Sequence, residues 1–247
     1  MSETALLKVM QAARNNALWC DAVCRAHGGG TEWTEHVWFN RRKSPPFYPN
    51  VDTLTKEGVP AQMQIIQHLI DTHVPGDWGV KDSFCTLDLA SLGFFQAFEA
   101  SWLWRPVQPL PRSITGGDWR PVDPPDELSR WEAAWSGGEV DLQKRIFPPA
   151  LLADPDLVFL AAYEGDRIVA GAVANRTGAV VGVSNVFTPA DTQADFWAGG
   201  IAAVQRTFPG LPLVGYEAGE ELKIAQALGF ESLGPLRVWI KQQERVT

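Results

Sequence analysis

Residues 157–187 read LVFLAAYEGDRIVAGAVANRTGAVVGVSNVF, and this stretch decides the fold class. Three apolar runs in it, Leu157–Tyr163, Arg167–Asn175 and Ala179–Phe187, have the length and the content of branched side chains that are typical of strands. Each break between the runs contains a glycine, which can adopt the positive φ angle of a tight hairpin turn. The stretch therefore predicts an antiparallel meander of three strands.

The sequence after this meander alternates between helical and strand-like patterns. Ala194–Phe208 has apolar residues at helical spacing, Leu211–Tyr216 is a short strand-like run, and Glu220–Leu228 is again helical. Gly229 follows at the position where a left-handed cap ends a helix, and Phe230–Lys241 reads as a final strand. A meander that continues through helices into further strands predicts an α/β fold, with a mixed sheet flanked by helices.

This order of elements resembles the GNAT superfamily of acyl-CoA-dependent N-acyltransferases. Residues 225–230, AQALGF, are similar to that family's closing segment, A-x-x-L-G-F. The resemblance covers about residues 113–247, with Asp118–Val122 as the first strand and Asp126–Trp135 as the first helix. It implies transfer of an acyl group, in the first place acetyl from acetyl-CoA, to an amine of a small molecule or a peptide.

The resemblance also implies where the thioester would bind. In the family, the fourth strand carries a bulge whose backbone N–H polarises the thioester carbonyl. That strand corresponds to Ala179–Phe187 here, so Gly182, Ser184 and Asn185 at its centre are the expected contacts of the thioester.

The next loop of the family binds the diphosphate of CoA through backbone N–H groups and a helix N-terminus, because both attract anions. Its pattern, Gln/Arg-x-x-Gly-x-Gly/Ala, is matched here by Gln193 and Ala198, which are the expected diphosphate contacts. Phe196 stands where the pattern has glycine. Two acidic residues, Asp191 and Asp195, flank the match and would repel a diphosphate.

These departures leave two functions open. One is the acyltransferase, in which Gly199 and Gly200, deeper in the predicted helix, are an alternative to the missing glycine. The other is a non-catalytic GNAT-fold protein that binds a ligand or a partner and has lost CoA binding.

Proton transfer needs a base for the attacking ammonium and an acid for the departing thiolate. The family often places a tyrosine in its fourth helix as the acid, but no Tyr lies between Glu217 and the C-terminus of this chain. Glu217 is therefore the candidate base and Tyr216 the candidate acid. Two structural alternatives remain, since Tyr216 could be buried packing and Glu217 could stabilise the next helix by its charge.

The first hundred residues are harder to interpret. Helical patterns span Thr4–His27 and Ala61–His73, and strand-like patterns span Glu35–Asn40 and Lys81–Leu89. Ser91–Glu99 reads as a further helix. The N-terminal half is therefore also predicted to be α/β.

A proline-rich segment, Arg105–Pro125, predicts a boundary between an N-terminal domain of residues 1–106 and a GNAT-like domain of residues 107–247. A weak repeat crosses this boundary. Leu92-Gly93-Phe94 precedes an aromatic run much as Leu228-Gly229-Phe230 precedes the final strand. Either the repeat is a coincidence in an apolar chain, or the first half is a partial second copy of the GNAT-like fold.

Composition excludes several classes of function. A net charge of −8 argues against a nucleic-acid-binding surface, which needs a basic stripe. No run approaches 18 apolar residues, and the first residues lack the apolar core of a signal peptide, so we expect no membrane contact and a cytoplasmic location.

Two small clusters are candidate ligand sites. Cys20, Cys24 and His27 could share one helix face, but zinc wants a fourth ligand, and cysteines at this spacing are more often small buried residues, so no metal is expected. Arg41–Lys43 is the basic cluster of the chain. It could bind a phosphate-bearing ligand such as CoA, although short charge runs are usually just solvated.

Overall fold

A computed structural model of the protein describes residues 2–109, 116–138, 141 and 144–242. The chain divides into two compact units: unit 1 comprises Met1–Trp102 with Leu233–Thr247, and unit 2 comprises Leu103–Ser232. The domain boundary expected between residues 106 and 107 stays a prediction. Residues 110–115 of the predicted linker lie outside the described residues.

Five helices and eleven strands are formed by the described residues. In chain order they are α1 (Glu3–Ala26), β1 (Thr31–Trp33), β2 (Val37–Asn40), β3 (Val51–Thr53), α2 (Val59–Asp71), β4 (Trp78–Asp82), β5 (Phe94–Arg105), β6 (Asp118–Pro121), α3 (Pro125–Ser136), β7 (Leu157–Glu164), β8 (Arg167–Thr177), β9 (Val180–Phe187), α4 (Gln193–Thr207), β10 (Leu213–Glu217), α5 (Gly219–Ala227) and β11 (Glu231–Lys241). None of these helices is both long and apolar enough to cross a membrane.

Unit 1 contains a mixed sheet with the strand order β1-β2-β3-β4-β11-β5. Strands β3 and β4 are parallel, whereas β4 and β11 are antiparallel. Val51 and Val80 from the parallel pair pack with Ile66 and Leu69 of α2 in one apolar core. Because side chains alternate along a strand, the neighbouring residues of β3 and β4 face the opposite side, where α1 contacts β1, β2 and β3.

Two predictions for unit 1 are wrong in part. The predicted helix Ser91–Glu99 is instead the start of strand β5. Its phenylalanines lie at helical spacing, but Phe94 packs edge-on against Trp78 in the sheet, with ring centroids 5.0 Å apart. The predicted strand Lys81–Leu89 ends at Asp82, whose carboxylate accepts hydrogen bonds from the two backbone N–H groups of residues 86 and 87 and so closes a turn.

Unit 2 confirms the order predicted from residue 118 to the last helix. Its strands follow the order β10-β9-β8-β7-β6, with β9 and β10 parallel and the other neighbours antiparallel. On one face, Leu160 and Ala162 of β7 pack in a core with Ile201 and Val204 of α4. On the other face, Phe159 packs edge-on against Trp131 of α3 (5.1 Å between centroids). Successive side chains of β7 thus contact helices on opposite faces of the sheet, α4 on one face and α3 on the other.

The repeat seen in the sequence corresponds to one local structure formed twice. Gly93 (φ +79°) and Gly229 (φ +90°) both hold the left-handed conformation and both lead into a long strand, β5 or β11. The preceding elements also match, because β1-β2-β3-α2-β4 repeats the order β7-β8-β9-α4-β10. A 3₁₀ turn, Ala90–Leu92, takes the place of α5 in the first copy.

Candidate active site

A β-bulge interrupts β9 where the sequence predicts the thioester contacts. Strands β8 and β9 pair one to one up to Val173 opposite Ser184, and the next recorded pair is Gly171 opposite Phe187. Two steps along β8 therefore match three along β9, which carries one extra residue. Within this segment Asn185 has φ +51°, a left-handed conformation that asparagine tolerates better than most residues.

The parallel pair beside this bulge is short. Its register joins Val181 to Leu213 and Gly182 to Val214, although β9 runs on to Phe187 and β10 to Glu217. Beyond these two pairs, the residues of β9 and β10 that the structure describes have no further register pairs with each other. The carboxyl ends of neighbouring parallel strands are where open α/β sheets bind ligands.

Glu217 is the last residue of β10 and is half-buried. Burial, and in second place the negative charge of Glu221, raise the pKa of Glu217 to about 8. A carboxyl group with a pKa near the working pH suits proton transfer. Glu217 lies one residue before Ala218, the N-cap of α5, so the alternative in which its charge stabilises this helix stays open.

Tyr216 precedes Glu217 on the same strand and is also half-buried. Successive strand residues point to opposite faces of a sheet, so these two side chains lie on opposite sides of β10. The structure therefore brings the two candidates together in the chain but not on one face.

Ser184 lies one residue before Asn185. Its Oγ is buried and has no hydrogen-bond partner among the described residues. A buried hydroxyl with unused hydrogen-bonding capacity is uncommon and calls for a water or a ligand group. Of the predicted thioester contacts, Ser184 is the one whose side chain is left unsatisfied.

The N-terminus of α4 holds the first of the two predicted diphosphate contacts. Gln193 is the first residue of the helix, and the N-cap, Thr192, makes no side-chain capping bond. The first N–H groups of a helix have no partners within it, and the helix dipole makes this end attractive to anions. Two exposed carboxylates, those of Asp191 and Asp195, lie beside it and oppose that attraction.

The second predicted contact, Ala198, lies elsewhere. It is buried in the second turn of α4, together with Phe196. Phe196 belongs to the apolar core, and a Cβ on Gly117 would come within 3.0 Å of its ring. Because this ring points into the core, it does not cover the backbone N–H groups at the start of α4.

The two glycines of α4 serve packing. A Cβ on Gly199 would overlap the indole of Trp119, and one on Gly200 would lie 3.1 Å from it. Both residues are therefore required to be small so that Trp119 of β6 can pack on the helix. They are not available as a glycine loop for a diphosphate.

The two small clusters, the one at Cys20, Cys24 and His27 and the one at Arg41–Lys43, are in unit 1. Arg41 forms an ion pair with Glu32, and Arg42 donates to the backbone oxygen of Gly28 at 2.6 Å. The thiols of Cys20 and Cys24 are buried, and no group of three His, Cys, Asp or Glu residues suited to a metal occurs in the described ranges.

Glu221 is a residue of this site that the sequence patterns above do not predict. A second carboxylate four residues after Glu217 is visible in the sequence, but Glu217 ends strand β10 and Glu221 lies in the first turn of α5, so their interaction depends on the turn between the two elements. Its consequence for the pKa depends on the burial of Glu217, which sequence alone does not provide.

No protein-family model matches the chain, and no curated protein matches its sequence. Solved structures do match. A GCN5-related N-acetyltransferase from Kribbella flavida superposes with a TM-score of 0.60 and 14% identity, covering 95% of this chain and 97% of the other. A tandem GNAT protein from the clavulanic acid biosynthesis pathway has a TM-score of 0.55 and 11% identity over 95% and 96% of the two chains.

A third match is the structure of a protein from the GNAT family from Novosphingobium aromaticivorans, with a TM-score of 0.51 and 12% identity over 90% of this chain and 96% of the other. In each of these matches the similarity covers nearly the whole length of this chain and of the matched chain. One of the matched proteins is built from two GNAT halves. Together with the two copies of the β-β-β-α-β order, they identify the architecture: the chain has the GNAT fold, arranged as two halves in tandem.

Proposed function

We propose that unit 2 transfers an acyl group, in the first place acetyl, from acyl-CoA to an amine of a small molecule or a peptide. One observation carries the proposal. The bulge at Asn185 lies on the strand next to β10, and β10 ends in a carboxyl group whose pKa is raised to about 8. Backbone donors beside a base tuned to neutral pH are what aminolysis of a thioester requires.

Each group would have a distinct role. Acetyl-CoA supplies the acetyl group as a thioester, whose C–S bond breaks as the new C–N bond forms. Backbone N–H groups of the bulged segment, residues 184–186, would donate hydrogen bonds to the carbonyl oxygen as negative charge develops on it. The carboxylate of Glu217 would accept the proton that the amine loses, directly or through a water. The Tyr216 hydroxyl, the candidate acid, lies on the other side of β10 from Glu217, so the departing thiolate would take its proton from the Glu217 carboxyl or from water.

Unit 2 suits the thioester end of CoA better than the diphosphate end. The bulge, the unpartnered Ser184 hydroxyl and the ends of β9 and β10 suit the thioester end. At the diphosphate end, the N-terminus of α4 offers N–H groups, but Asp191 and Asp195 add two negative charges. We therefore expect binding that is weaker than in a site with basic residues and that strengthens as salt screens the two carboxylates.

Those two carboxylates also support the second candidate function. A GNAT-fold protein that binds a ligand or partner without catalysis would need no diphosphate site, and acidic residues at α4 would then carry no penalty. The two candidates differ in one property, since only the enzyme releases free thiol from acetyl-CoA in response to an amine.

The test is a thiol-release assay with acetyl-CoA and a panel of primary amines. The intact chain should show amine-dependent release, and Glu217→Gln should lower kcat/KM about 100-fold or more, the usual effect of removing a general base. Glu220→Gln is the matched control, because Glu220 is an exposed carboxylate in the same region that pairs with Lys223. Release that is absent, or equal in both variants, would refute the proposed role of Glu217.

A further inference from the structure

The two halves can be compared residue by residue through their parallel strand pairs. In unit 2 the pairs are Val181 with Leu213 and Gly182 with Val214. In unit 1 they are Val51 with Val80 and Asp52 with Lys81. Since β3 and β4 hold the same places in the repeated order as β9 and β10, Asp52 corresponds to Gly182 and Lys81 to Val214.

The first difference between the halves lies just beyond these pairs. In unit 1, the hydroxyl of Thr53 accepts a hydrogen bond of 2.8 Å from the backbone N–H of Ser83. This bond joins the segment after β4 to the end of β3, at the level where β9 and β10 have no further register partners. The parallel pair of unit 1 is thus held closed one step further along the strands.

The second difference is the bulge. Strand β3 pairs one to one with β2, from Phe39 opposite Val51 to Val37 opposite Thr53. The pairing continues through a hydrogen bond of 2.8 Å from the backbone N–H of Leu54 to the backbone oxygen of His36. The register of β2 and β3, both within the described residues, therefore has no shift like the one at Asn185. The β3 backbone that would donate to a thioester carbonyl instead forms hydrogen bonds within the sheet.

The third difference lies in the side chains at the second register pair of each unit. Asp52 and Lys81 are 1% and 4% exposed, with Lys81 Nζ 3.9 Å from Asp52 Oδ1. Lys81 also donates to the side-chain oxygen of Asn16 on α1, so the helix, the lysine and the aspartate form one buried polar cluster. A ligand could enter here only by separating these charges inside the protein, which is strongly unfavourable.

We infer that each chain binds one acyl-CoA, in unit 2, and that Asp52, Lys81 and α1 close the equivalent place in unit 1. This inference rests on the proposed function. Charge at the helix N-termini would favour unit 1 as the anion site, because the first turn of α2 has no acidic residue whereas that of α4 has Asp195. The bulge at Asn185 and the short register of β9 with β10, not charge at the helix, then decide which half binds.

Two measurements on the full chain with acetyl-CoA test the inference. Native mass spectrometry should show one bound molecule per chain at saturation. Hydrogen exchange should slow in residues 180–187 and 213–217 and stay unchanged in residues 51–54 and 80–83. As paired variants, Gly182→Val should lower the affinity at least 10-fold, while Lys81→Met should leave one molecule bound in unit 2.

The outcomes separate this inference from the proposed function. Two bound molecules, or one that protects residues 51–54 and 80–83, would overturn the inference and leave an acyl-CoA site in the chain. No bound molecule would instead overturn the proposed function. The exchange measurement on the unaltered chain distinguishes the two units even where a variant fails to fold.

Discussion

Glu221, in the first turn of α5, acts on Glu217 at the end of β10: its negative charge adds to burial in raising the pKa of Glu217 to about 8. The pKa of Glu217 therefore depends on the charge of Glu221. Below pH 8 the proton stays on Glu217, and above it the carboxylate that could act as a base is present.

This relationship predicts the pH dependence of transfer. The kcat/KM of the intact chain should rise with pH along a limb centred near pH 8, because the free protein needs ionised Glu217. Glu221→Gln removes the like charge, so it should move this limb to lower pH. The profile of Glu217→Gln, measured with the same amine, should lack the limb. A limb that is unmoved in both variants would assign it to the amine instead.

The acidic residues beside α4 predict an unusual gain on mutation. Asp191→Asn and Asp195→Asn should each tighten acetyl-CoA binding about 2- to 5-fold at low salt, since an exposed charge interaction near a helix end is worth roughly 0.3–1 kcal/mol. Acetyl-pantetheine, which lacks the diphosphate, is the control ligand and should bind equally to all forms. Equal gains for both ligands would show that the effect is not on the diphosphate.

The bulge predicts that backbone conformation at Asn185 matters more than its side chain. Asn185→Gly keeps the left-handed conformation available and should retain transfer activity. Asn185→Ala should cost about 1–2 kcal/mol in unfolding free energy and lower the activity, because alanine disfavours φ +51°. Urea unfolding and the thiol assay measure the two effects. Loss of activity in the glycine variant with normal stability would assign the role to the side chain amide.

We expect substitution of Phe196 to lower the stability of the fold. Although glycine stands at this position in the family pattern, Phe196 is 6% exposed and packs in the core, so Phe196→Ala should cost about 3–5 kcal/mol. Phe95→Ala is the control, since that ring is 46% exposed and its loss should have a small effect. Thermal and urea unfolding compare them, and a Phe196 variant as stable as the control would contradict the packing described.

The sequence predicts unit 2 well because its elements obey local rules. Alternating apolar runs separated by glycines indicate β7, β8 and β9, and Gly229 indicates the end of α5. Ser91–Glu99 misleads because Phe94 and Phe98 are spaced as on a helix face, while the strand that they form depends on pairing with β11, far away in the chain. Such pairing cannot be read from a local window.

The site is predictable only in part for the same reason. The resemblance predicts a bulge in β9, but the orientation of Phe196, the use of Gly199 by Trp119 and the raised pKa of Glu217 follow from tertiary packing. The buried pair of Asp52 and Lys81 has a signal in the sequence. Charged residues inside two short apolar runs are costly to bury, so they indicate that their partners lie nearby.

The central claim is that the chain binds acyl-CoA between the ends of β9 and β10, and calorimetric titration of the intact, folded protein with acetyl-CoA tests it most directly. We expect saturable binding with one site per chain, an affinity that rises as salt screens the carboxylates of Asp191 and Asp195, and a loss of at least 10-fold in Gly182→Val. Absence of binding heat by a protein that still melts cooperatively, or binding unaffected by that substitution, would contradict the claim.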